Sequence, residues 1–139
     1  MNKPIQEVAI AIIVKEERYL ITRREDATHM GGLWEFPGGK RLPGETFEEC
    51  LIRELLEELD VHIKIERPLG RIKHPYPDRI IILQGYLCSL QSGNPKALSA
   101  QELQWVLPAT LPAYPFPEAN RPFLARLIEG IPEQNGIKK

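Results

Sequence analysis

Apolar residues fall into short β-branched runs early in the chain and into helical stripes later. Residues 8–14 read Val-Ala-Ile-Ala-Ile-Ile-Val, and the turn-like Lys15-Glu16-Glu17 separates them from a second run at 18–22. Two such runs about a short polar turn predict a β-hairpin. Gly31, Gly32, Pro37, Gly38 and Gly39 follow, predicting a loop of irregular backbone. Thr46 and Glu49 then have the spacing of a capping box, so a helix should begin there. Ile52, Leu55, Leu56 and Leu59 recur at i, i+3, i+4 and i+7, an apolar stripe whose natural partner is the sheet. Residues 61–66, 79–90 and 103–107 read as strands. Residues 120–129 read as a second amphipathic helix, with Pro122 in its first turn, where a missing amide costs little. Pro108, Pro112, Pro115 and Pro117 predict an extended connection before it.

The 139 residues suffice for one domain, which we place at 1–131 with a polar tail at 132–139. A hydrophobic fraction of 42% and a charged fraction of 27% are those of an ordinary globular protein. No window is apolar enough for a bilayer span. The net charge of −1 lacks the basic balance of a DNA- or RNA-tracking protein, so a mononucleotide is the expected nucleic-acid connection. Cys50 and Cys88 form no C-x-x-C pair and no disulfide framework, and the N-terminus has no signal-peptide pattern. The expectation is a cytoplasmic monomer with two buried, inert thiols, no membrane contact and no direct nucleic-acid binding.

Glu54, Glu57 and Glu58 are spaced i, i+3 and i+4, so a helix projects all three from one side, expected to lie opposite the leucines. Such a face can simply be solvated. It can also hold a hard divalent cation, since magnesium takes oxygen ligands and commonly accepts one or two carboxylates together with phosphate oxygens. Gly38 and Gly39 lie just upstream, where bare backbone can approach a ligand, although a Gly-Gly after proline is also an ordinary turn.

Residues 39–61, GKRLPGETFEECLIRELLEELDV, resemble the Nudix box G-x5-E-x7-R-E-U-x-E-E-x-G-U, where U is bulky and apolar. Gly39, Glu45, Arg53, Glu54, Glu57 and Glu58 match it. Asp60 departs, standing where the family has a glycine at the helix end; aspartate can visit the left-handed conformation at modest cost, so stability rather than chemistry should suffer. The resemblance extends to the MutT branch of the family through Ile21-Thr-Arg-Arg24, His29-Met30, Leu33-Trp-Glu-Phe-Pro-Gly-Gly-Lys40, Tyr76-Pro-Asp-Arg79 and Phe116-Pro-Glu-Ala-Asn-Arg-Pro122.

This resemblance implies an α+β Nudix fold, a mixed sheet sandwiched between helices. It implies a hydrolase of phosphoric anhydride bonds that uses Mg2+, with Mn2+ as a substitute, and converts 8-oxo-dGTP to 8-oxo-dGMP and pyrophosphate. Glu57, Glu58 and the Gly38 carbonyl would hold the metal. Glu54 would join them or act on the water, Arg53 would fix the carboxylates, and Glu45 would support the loop or a further ion. Arg24, His29, Glu35, Phe36, Pro37, Gly38, Arg79 and Asn120 would contact the nucleotide. Asn120 would offer its amide to the purine edge, unless it only caps the last helix. A late acidic ligand of the MutT pattern falls on Ser99, leaving Glu102 or water to replace it. Other members of the family act on ADP-ribose, dinucleoside polyphosphates or ordinary nucleoside triphosphates, and a non-catalytic 8-oxoguanine recognition module is the remaining alternative.

Overall fold

Strand β1 (Ile5–Lys15) is apolar on both sides because both sides are covered. Ala9, Ala11 and Ile13 face one core, and Ile10 and Ile12 face the other. The computed structural model describes residues 3–26 and 30–129, so His29 and the expected tail at 132–139 lie outside the described residues. Strand β2 (Arg18–Arg23) returns along β1 with Val14 opposite Tyr19, as the expected hairpin. Its turn residues Glu16 and Glu17 both have positive φ.

Strands β3 (Trp34–Glu35), β4 (Gly38–Lys40), β5 (His62–Pro75), β6 (Ile80–Ser92) and β7 (Glu102–Val106) complete a sheet of order β3-β2-β1-β6-β5, with β4 also paired to β1 and β7 to β2. β1 and β6 run parallel, whereas the other pairings are antiparallel. Helix α1 (Phe47–Leu59) covers the face carrying Ala9, Ala11 and Ile13. Helix α2 (Arg121–Ile128) covers the other through Phe123 and Leu127. This is the expected mixed sheet between helices. No helix among the described residues is long and apolar enough to cross a membrane.

The structure corrects four local expectations. The glycine loop is partly strand, since β3 and β4 pair with β2 and β1. β5 runs past Glu66 to Pro75, because irregularities in its pairing with β6, one of them between Pro68 and Gly70, absorb residues that look like strand breakers. The segment Pro108–Ala113 is a 3-10 helix, not an extended connection. On α1 the buried residues are Cys50, Leu51, Leu55 and Leu59, while Ile52 and Leu56 remain 45% and 42% exposed. At 100° per residue the buried stripe is turned by roughly 70° from the expected one. That rotation brings Glu54 and Glu58 to the flank of the buried face instead of opposite it.

Candidate active site

The edge of β1 opposite β6 is shared. β2 takes its C-terminal end, and β4 takes Val8, Ala9 and Ile10 opposite Lys40, Gly39 and Gly38. A Cβ on Gly38 would collide with the Ala9 carbonyl, and one on Gly39 would overlap the Glu54 carboxylate. The strand can therefore pass directly between β1 and the acidic flank of α1 only as bare backbone. The next turn leads to Thr46, whose hydroxyl accepts from Glu49 N at 3.0 Å while Glu49 Oε1 accepts from Thr46 N at 2.9 Å. This reciprocal cap fixes the start of α1, and with it the height of Glu54 and Glu58 beside β4.

Arg53 ties that corner together. Its Nη2 and Nε reach the two oxygens of Glu45 at 2.7 and 3.2 Å, and its Nη1 donates to Glu54 Oε2 at 2.8 Å and Glu57 Oε1 at 3.4 Å. Nη2 also donates to the Lys40 carbonyl at 3.2 Å. Hydrogen bonds from Arg53, then from the Leu42 backbone, hold the Glu45 carboxyl down at about 2. The same Glu45 contact makes the Arg53 guanidinium hold its proton still more tightly than usual. Cys50 lies behind, buried, with its thiol against the Gly39 carbonyl at 3.4 Å. Burial, with the Glu45 charge, pushes that thiol up to about 11, and burial pushes Cys88 up to about 12, and both cysteines are buried and unpaired as expected.

Glu54 and Glu58 open onto a cavity of about 690 Å³ whose lining also includes Arg24, Glu35, Phe36, Gly38, Arg79 and Asn120. Glu58 is pushed up to about 8, first by burial and then by the neighbouring Glu54 charge, against a hydrogen bond from the Gly38 backbone. Burial also raises Glu35, which Arg24 Nη1 partly offsets from 3.2 Å. Carboxylates crowded in this way favour a cation. Among the described residues no three His, Cys, Asp or Glu side chains form a ready-made metal cage. An open pair of carboxylates beside glycine backbone is nevertheless the donor set of a hard divalent ion that takes its other ligands from water and phosphate.

The opposite wall is built from distant segments. Phe36 packs at a tilt against Phe116 at 5.2 Å and Trp34 meets Tyr114 edge-on at 5.1 Å, which seats the segment leading to the 3-10 turn Glu118–Asn120. Asn120 is 7% exposed and its side chain makes no capping hydrogen bond to α2, which speaks against a role as the helix cap. It lines the cavity together with Arg79, from the turn between β5 and β6.

Not every expected residue arrives there. Glu57 has 60% of its side chain exposed and is absent from the lining, because at about 100° per residue it falls on the solvent side of Glu54 while Glu58 falls on the cavity side. Pro37 is also outside the lining; its carbonyl accepts from Ala11 N and so anchors the β3–β4 connection. Glu102 pairs with Arg23 at 3.0 Å across β2 and β7, and neither it nor Ser99 lines the cavity. Conversely, Gln6, Lys40 and Asp78 line it without having been singled out from sequence. Lys40 stood inside the matched box, where a cation beside the acidic cluster was the available signal.

The geometry can be set beside known proteins. A model of the NUDIX domain matches residues 8–126. The 8-oxo-dGTP diphosphatase of Escherichia coli (strain K12) is 36% identical over 122 residues, covering 87% of this chain and 95% of that protein. The CTP pyrophosphohydrolase of the same organism is 33% identical, covering 85% of this chain and 87% of its own. The crystal structure of a MutT NUDIX hydrolase from Burkholderia pseudomallei superposes with a TM-score of 0.81 at 26% identity, covering 90% of this chain and 99% of the other. With the acidic flank of α1, the glycine strand beside it and a family match over most of its length, this chain belongs to the Nudix family of hydrolases.

Proposed function

We propose that this chain hydrolyses 8-oxo-dGTP to 8-oxo-dGMP and pyrophosphate with magnesium as its ion. The observation that carries the reading is that Glu54 and Glu58 share one cavity with Asn120 and Arg79. Hydrolases of this family generally use a divalent metal ion. When bound, such an ion neutralises charge that builds on the phosphate oxygens. Glu58 and the Gly38 carbonyl would hold it. Glu54 would orient the attacking water and take its proton, and Arg53 would hold that carboxylate in place. Glu45 would in turn fix Arg53. Arg24 and Lys40 supply positive charge towards the phosphates.

At the base, the Asn120 amide has a donor and an acceptor for the purine edge. 8-Oxoguanine carries a proton at N7 where guanine has an acceptor, so a backbone carbonyl near Phe36 would accept from the oxidised base and repel the normal one. A buried mismatch of this kind discriminates by orders of magnitude. The names of relatives include both 8-oxo-dGTP diphosphatase and CTP pyrophosphohydrolase, so the deciding experiment is a substrate panel. Pyrophosphate release from 8-oxo-dGTP, dGTP and CTP, with ADP-ribose followed by its own products, is measured with magnesium and with chelator. The expected result is the highest kcat/KM for 8-oxo-dGTP and no turnover without metal. Equal values for 8-oxo-dGTP and dGTP would remove the proposed substrate, and a preference for CTP would replace it. No turnover of any nucleotide, with 8-oxoguanine still bound, would favour a recognition module.

A further inference from the structure

Tyr76 contacts Arg79, proposed to read the base, and the backbone of Ala119 beside Asn120, yet it is not part of the cavity lining. It opens the turn Tyr76–Arg79 between β5 and β6, closed by hydrogen bonds from Tyr76 N to Arg79 O at 2.7 Å and from Arg79 N to Tyr76 O at 3.4 Å. The Arg79 guanidinium lies over the Tyr76 ring, 5.0 Å from its centroid. The His74 ring packs against the same ring edge-on at 4.7 Å. At its far end the Tyr76 hydroxyl accepts a hydrogen bond from Ala119 N at 3.0 Å, across a separation of 43 residues. Ala119 is buried and immediately precedes Asn120.

We propose that Tyr76 is a positioning residue for base recognition, setting the spacing between Arg79 and Asn120 across the pocket without touching the nucleotide. The inference rests on the base pocket proposed above. Arg79 belongs to a β-turn and Asn120 to a 3-10 turn, two irregular segments with no strand ladder between them. One rigid side chain joins them, through its π face at one end and its oxygen at the other. A recognition pair is only as selective as its relative placement, and shifts of an ångström are costly.

Tyr76→Phe isolates the hydroxyl, because the ring and its contact with the guanidinium remain. Loss of one neutral hydrogen bond should raise KM for the preferred purine nucleotide roughly two- to tenfold. kcat should stay at the wild-type value, since Glu54 and Glu58 are untouched. The ratio of kcat/KM for 8-oxo-dGTP over dGTP should fall with it. A double-mutant cycle separates positioning from general weakening of the fold: in an Asn120→Ala background, Tyr76→Phe should add little further loss. Thermal unfolding of each variant shows that folded protein is being compared.

An unchanged KM for Tyr76→Phe in an active wild-type background, or losses that multiply fully with those of Asn120→Ala, overturns the role of Tyr76 and leaves the hydrolase reading intact. A wild-type protein that neither hydrolyses 8-oxo-dGTP nor binds 8-oxo-dGMP in a titration removes the functional reading and this inference together.

Discussion

Glu58→Gln should stabilise the metal-free protein near neutral pH, although it removes a group proposed to bind metal. In the folded chain the Glu58 carboxyl is raised from 4.5 to about 8, chiefly by burial and by the Glu54 charge. Between those two values the folded state holds a proton that the unfolded state has released. Wild-type stability therefore falls as pH rises through this window and levels off above the folded value. At roughly 1.4 kcal/mol for each tenfold change in acidity the gap amounts to a few kcal/mol, and solvent reaching the open cavity reduces this to about 2 kcal/mol. A carboxamide keeps the acceptor for the Gly38 backbone and carries no charge, so Glu58→Gln should lose most of this dependence. For a domain of this size the advantage of the variant at about pH 8 corresponds to roughly 5 to 10 °C in Tm, shrinking towards about pH 5. The assay is thermal unfolding in chelator at both pH values, repeated with excess magnesium. Added magnesium should raise the Tm of the wild type more than that of the variant, because it binds the ionised carboxylate and only the folded state offers the site. If the two proteins lose the same stability between the two pH values in chelator, the burial and crowding assigned to Glu58 are wrong.

Three further outcomes follow from the same corner. Gly39→Ala should drive the new methyl into the Glu54 carboxylate and cut kcat while far-ultraviolet circular dichroism keeps its wild-type shape; unchanged turnover would show that Glu54 does not need its present position. Glu54→Gln should lower kcat by about 10²- to 10⁴-fold, and near-normal steady-state rates would remove Glu54 as the base. Asp60, at the end of α1, sits in the left-handed region at φ 58 and ψ 44 with its N–H on Leu56 O at 3.1 Å. Asp60→Gly should accordingly gain roughly 0.5 to 1 kcal/mol in urea unfolding with unaltered kcat, since its pair with Lys96 is exposed; a loss of stability would mean that this pair outweighs the backbone strain.

Features decided within a few residues were legible in the sequence. The Thr46–Glu49 cap and the β1–β2 turn each depend on neighbours in the chain and stand where local spacing places them, and Asp60 is left-handed at the helix end where the resemblance puts a glycine. Features decided by a distant partner were not. Leu51, Leu55 and Leu59 form one apolar row of α1, and Ile52, Leu56 and Leu59 a competing one. Only the sheet chooses between them, by presenting Ala9 and Ala11 under the first. Pro68 and Gly70 conceal the continuity of β5 for a similar reason: a bulge is defined by what the opposite strand does, and the residues alone signal a break.

The same division runs through the active site. The part proposed to carry hydrolysis is a continuous stretch from Gly38 to Glu58, so the spacing of glycine, arginine and glutamate along the chain already encodes much of its geometry. The part proposed to recognise the base takes Phe36 from the turn after β3, Arg79 from a hairpin and Asn120 from a 3-10 turn. The contacts that register these pieces, Phe36 on Phe116 and Tyr76 on Ala119, join residues 80 and 43 positions apart. Substitutions there can shift the base pocket while leaving every residue of the box in place. On the proposed reading, relatives named for an oxidised purine and for a pyrimidine can share the box, because the residues proposed for the reaction are neighbours in the chain and those proposed for the base are joined through packing between segments.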